Sequence, residues 1–160
     1  MDRRRRVLVQ SGAGVTLLGL LAAAGWPKPA DAAELRAPPW NRAAFDTHSP
    51  AEAMQALGSV EAKQSKDIVF LQTPEIAENG AVVPVGVVSN IPKTESIAIL
   101  IEKNPNPLAA VFDIPPGTEP AISTRVKMAQ TSNIYALVRA DGRYFLATKE
   151  VKVTLGGCGG

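Results

Sequence analysis

The chain has 160 residues, a formal net charge of +2 and a single cysteine, a length that supports one domain with a real core. One cysteine excludes an internal disulfide framework, a multi-thiolate zinc site and an iron–sulfur cluster, and one histidine, His48, argues against a histidine-based metal site or a Ser-His-Asp triad. Hydrophobic residues at 46% against 20% charged support a folded domain, and Gly and Pro at 13 each favour many short strands joined by turns.

The first 32 residues read as an export signal. Arg3 to Arg6 form a positive n-region, an apolar stretch rich in small residues runs from Val7 to Gly25, and Ala30-Asp31-Ala32 is an A-x-A cleavage pattern. Arg4-Arg5-Arg6-Val7-Leu8 looks like a twin-arginine signal. The competing reading is a membrane anchor, but Gln10, Ser11 and several glycines leave the run short of the ~20 apolar residues that a span needs. Cleavage near Ala32 gives a mature start at Ala33 and a periplasmic protein with no membrane attachment. No cysteine lies near that site, so there is no lipoprotein signal. The leader carries five basic and two acidic residues, leaving 12 basic and 13 acidic residues in the rest. With a remaining charge near −1, no basic patch argues for nucleic acid.

Residues 33–48 are rich in Pro and Ala, hold Trp40 and Phe45, and read as a lead-in segment. Ser49-Pro50-Ala51-Glu52 supplies an N-cap, a proline at the first helical position and a glutamate at N3. A short helix follows through Ala53, Met54, Ala56 and Leu57, with Gly58 as its stop. Strands are predicted over Asp67–Leu71, Ala81–Ser89 after an Asn79-Gly80 turn, Ser96–Glu102 and Leu108–Asp113. Pro84 in the second of these points to a sheet edge or a bulge. Ile122, Thr124, Val126 and Met128 alternate with polar or small residues, as in a half-buried strand. Ile134–Arg139 and Arg143–Thr148 flank Asp141-Gly142, a two-residue hairpin signal. The last predicted strand, Glu150–Leu155, faces Val151, Val153 and Leu155 one way.

About seven strands at this spacing predict an all-β fold, an antiparallel β-sandwich with a short N-terminal helix, spanning 49–155. Two runs, Val82–Val88 and Ile97–Ile101, are apolar on both faces. Either both faces are buried within the domain or a partner subunit covers one. His48 reads as a loop residue. Arg125, Lys127, Arg139, Arg143 and Lys149 read as a solvated face, with a docking surface for anionic partners as the alternative.

The chain ends in Gly156-Gly157-Cys158-Gly159-Gly160. Four flanking glycines offer nothing for a buried cysteine to pack against and make residues 156–160 a thin, flexible arm. From Leu155 the thiol reaches about 10 Å at ~3.3–3.6 Å per residue, enough to enter a narrow site on another protein. The nearest basic residue is Lys152, so nothing local lowers the thiol pKa or serves as its base. This favours a covalent carrier over a catalyst, with no catalytic, cofactor-binding or metal-binding residues assigned. An intermolecular disulfide, in an exported structural domain dimerised through Cys158, is the alternative. A Gly159-Gly160 thiocarboxylate would need ATP-driven adenylation, and no C-x-x-C pair supports a thiol-disulfide oxidoreductase.

The ending Val151-Lys152-Val153-Thr154-Leu155-Gly156-Gly157-Cys158-Gly159-Gly160, the twin-arginine-like leader and the stretch Pro74-Glu75-Ile76-Ala77-Glu78-Asn79-Gly80 before an apolar strand resemble the SoxY family. Its members are the sulfur-carrying subunits of the periplasmic thiosulfate-oxidising (Sox) system. The resemblance spans nearly the whole chain, and the glycine–cysteine tail is its specific part. It implies an immunoglobulin-like sandwich, a heterodimer with a SoxZ-like subunit, and Cys158 as the point of covalent sulfur attachment. It further implies a c-type cytochrome enzyme that joins thiosulfate to the Cys158 sulfur. A hydrolase would release sulfate and leave a sulfane, which a molybdenum- and haem-containing sulfane dehydrogenase oxidises where one is present. The carrier itself would hold no metal or haem.

Overall fold

The computed structural model describes residues 41–154. In chain order the elements are α1 (Arg42–Phe45), α2 (Pro50–Ala56), β1 (Ala62–Gln64), β2 (Ile68–Leu71), β3 (Ile76–Ala77), β4 (Val83–Ser89), β5 (Thr94–Ile101), β6 (Leu108–Asp113), β7 (Ala121–Val126), β8 (Ser132–Ala140) and β9 (Arg143–Val153). The larger sheet runs β1-β9-β8-β5-β6, with β3 also on β9, and the smaller runs β2-β4-β7. Their facing sides share one core, built from Ile68, Val83, Val85 and Val87 against Ile97, Ile99, Ile101, Ile134, Val138 and Val151. The fold is therefore an all-β sandwich, as the strand spacing predicts.

The doubly apolar run of β5 has a direct cause. Ile97, Ile99 and Ile101 point into the intersheet core. Ala98 and Leu100 point out of the sandwich, where Ala44, Phe45, Ala53, Met54 and Leu57 of the two helices and their flanks cover them. Both faces of β5 are thus buried within the domain. β4 differs: Val83, Val85 and Val87 are fully buried, whereas Pro84 on its outer face is exposed, beside half-exposed Val69 and Leu71 of β2. Pro84 sits where β4 has a neighbour on one side alone, because β2 pairs no further along it than Gly86. This is the edge position that a proline requires.

The helix signals act as read. Ser49 Oγ accepts from Glu52 N at 3.2 Å, and the Glu52 carboxylate reaches back to His48 N at 3.2 Å, one residue before the cap. Gly58, with φ +89°, closes the helix: its N–H donates to Gln55 O and that of Ser59 to Met54 O, the paired bonds of a Schellman stop. Asp141 and Gly142, at φ +49° and +71°, form the two-residue turn between β8 and β9.

Three features depart from the sequence reading. The predicted lead-in contains α1. The sandwich is not wholly antiparallel, since β1 and β3 both pair parallel with β9, Ala62 opposite Tyr144 and Ile76 opposite Lys152. The predicted strands 143–148 and 150–155 are one strand through Val153. Lys149 lies on the core-facing side of that strand, in step with Ala147 and Val151, and its ammonium donates to Thr73 O at the sandwich edge. A satisfied lysine lets the ladder continue through this position.

Candidate functional site at the end of β9

Cys158 and its neighbours Gly156, Gly157, Gly159 and Gly160 lie outside the described residues, as do residues 1–32, the predicted export signal. The structure defines the root from which the C-terminal segment departs. β8 begins at Ser132, opposite Val151, so β9 outruns it. Three consecutive N–H groups of this overhang are nevertheless held. Lys152 N donates to Glu75 O at 2.9 Å and Thr154 N to Ala77 O at 3.1 Å, both on the β3 side. Val153 N, on the other side, donates to the Thr131 hydroxyl at 3.0 Å.

The loop that carries Thr131 is itself braced. The Asn104 side chain donates to Lys127 O at 2.7 Å and accepts from Ala129 N at 3.3 Å, tying the β5–β6 and β7–β8 loops together. Met128 N donates to Gly80 O at 2.7 Å, and the Met128 side chain is fully buried. Ser132 Oγ accepts from Lys103 N at 3.0 Å. Near this end of the sheet, burial and the Glu102 carboxylate push the Tyr135 phenol above its ordinary pKa, outweighing the opposite effect of Asn133. Tyr135 therefore keeps its proton at neutral pH and offers no base.

His48 is exposed in the turn before α2, its Nδ1 3.2 Å from Pro105 O. The five basic residues do not form one face. Arg125 is exposed on the outside of the small sheet, Lys127 lies in the loop after β7, and Arg143 follows the β8–β9 turn. Arg139 pairs with Glu95, which raises its pKa, and Lys149 is spent on Thr73 O. Alternation within single strands could not reveal that these strands belong to different sheets. A hollow of about 330 Å³ lies beside the β8–β9 turn and one of about 340 Å³ between the β4–β5 and β6–β7 loops, neither lined by a residue of the Thr154 end of β9. Of the residues that hold the root, Ala77 falls in the stretch that carries the resemblance, whereas Thr131 carries no sequence signal, because its role arises from where the β7–β8 loop ends.

Against known proteins, residues 53–158 match the family described as sulfur oxidation protein SoxY. The matched stretch ends on Cys158. Among solved structures, the sulfur carrier protein SoxY from Chlorobium limicola f thiosulfatophilum is 41% identical, with a TM-score of 0.57 over 64% of this chain and 92% of that one. No curated protein matches the chain. A match over well more than half the residues, on a shared sandwich fold, places this chain in the SoxY family of sulfur oxidation proteins.

Proposed function

We propose that the protein is a covalent sulfur carrier in thiosulfate oxidation, which holds sulfur intermediates on the Cys158 thiol and presents them to partner enzymes. The observation that carries this reading is the family match running through to Cys158, the chain's single cysteine, between two glycine pairs. The end of β9 supports it, since a firmly held strand gives the thiol-bearing segment a fixed base.

In the proposed cycle a c-type cytochrome enzyme removes two electrons as the Cys158 sulfur bonds to the sulfane sulfur of thiosulfate. The thiol proton leaves, and a cysteine S-thiosulfonate results. Water then attacks the terminal sulfonate sulfur; the S–S bond breaks, sulfate and a proton depart, and Cys158 keeps one sulfur as a persulfide. Where a sulfane dehydrogenase is present, it oxidises that sulfur for a second hydrolysis. The protein is the substrate of these enzymes and supplies no catalytic residue, metal or cofactor of its own. Export by a twin-arginine leader, cleavage near Ala32 and a periplasmic location belong to the same reading. So does a heterodimer with a SoxZ-like subunit, for which the exposed apolar strip of Val69, Leu71 and Pro84 is an available surface.

Intact-mass analysis after incubation with thiosulfate and the oxidising cytochrome tests the reading. The wild-type protein gains a thiosulfonate adduct that Cys158→Ser lacks. An unmodified wild-type protein in a mixture with proven activity overturns it. Deleting Gly159 and Gly160 should leave labelling of the thiol, whereas a C-terminal thiocarboxylate carrier would lose its function.

A further inference from the structure

We infer that Thr131 is a positioning residue for the sulfur-carrying segment: its hydroxyl, acting with β3, fixes the point of departure at Thr154, four residues before Cys158. The inference rests on the carrier reading of Cys158. Its physical basis is the overhang of β9. With β8 beginning only at Ser132, opposite Val151, the N–H of Val153 faces a side that no β8 carbonyl reaches. The Thr131 hydroxyl takes that place at 3.0 Å and extends the ladder by a side chain. β3, two residues long, holds the other side through Glu75 O and Ala77 O. The Asn104 bridge and the buried Met128 set the position of Thr131 before it receives the bond.

The consequence is a short tether. Four residues from Thr154 reach at most about 13–14 Å, whereas a strand released back to Val151, with the Thr131 and β3 bonds both lost, would give seven residues and at most about 23–25 Å. A longer tether dilutes its own thiol at a partner's active site, by about two- to fivefold for this change in length. Thr131 thus acts on delivery and leaves the intrinsic chemistry of the thiol alone.

The test uses the full mature protein. Thr131→Val keeps the shape of the side chain and removes the acceptor. Amide exchange at Val153 and Thr154 is expected to quicken by about five- to tenfold, the effect of one lost hydrogen bond. The catalytic efficiency of thiosulfate loading by the cytochrome enzyme should fall, by at most roughly the two- to fivefold of full release. Alkylation of Cys158 by iodoacetamide should stay at the wild-type rate, and Thr131→Ser should restore both exchange and loading. Unchanged exchange in Thr131→Val overturns the inference, and so does wild-type loading despite faster exchange. If Thr131→Val fails to fold, Thr131→Ala, which also removes the acceptor and leaves both amides in place, provides the same readouts. Exchange is read without any cargo, so failure of the carrier reading shows separately, as loading that persists in Cys158→Ser.

Discussion

Gly86 shows how much of this structure turns on single atoms. A Cβ at this position would lie 2.4 Å from Leu71 O. The same crowding lets Gly86 N donate to the Thr73 hydroxyl at 3.2 Å. Gly86→Ala is therefore expected to destabilise the domain by about 1–3 kcal/mol, because backbone and not a flexible side chain must yield. Urea unfolding should show a lower midpoint at unchanged slope. The sequence flagged this stretch through Pro84 as a sheet edge or a bulge. It could not show that the reason for the glycine is a carbonyl from the neighbouring strand end. Thr131 was illegible for a related reason: an N–H left over by unequal strand lengths has no trace in either strand's own pattern.

At the scale of elements, legibility followed the strength of local chemistry. The cap of α2, its glycine stop and the Asp141-Gly142 turn are each determined by adjacent residues, and each appears where the sequence puts it. Gly58→Ala should lower the melting temperature. A left-handed backbone costs an alanine about 1–2 kcal/mol. The added methyl would also press on Tyr144 Oη at 3.1 Å, whose hydroxyl donates to Leu57 O at 2.6 Å and ties the helix end to β9. A thermal melt followed by circular dichroism measures both losses together. β1 and β3 were missed because three and two residues carry no period, and because their partner stands more than 70 positions away. The split of β9 at Lys149 failed because the strand's continuity there rests on the bond from Lys149 to Thr73 O, a contact that no local pattern shows.

At the scale of the whole molecule, the net charge of +2 belongs to no single working part, since the leader and the rest of the chain carry opposite signs. The export proposal makes this concrete. Protein recovered from the periplasm should begin at Ala33 on N-terminal sequencing and be more acidic on isoelectric focusing than the full chain; an intact leader on periplasmic protein contradicts cleavage. The two-sheet architecture was legible because turn residues recur at regular spacing, and the parallel edges were not, because β9 alone explains them. That strand touches β8, β1 and β3, yet it is the last of the described strands to leave the ribosome. Every nascent chain shorter than this presents β8 with a bare edge and leaves Ile134, Ala136 and Val138 without their closing neighbour. Long-range pairing of this kind is slow to form. Closure of the sandwich therefore waits for β9, and the strand whose end precedes the glycine–cysteine segment is also the one that completes the sheet.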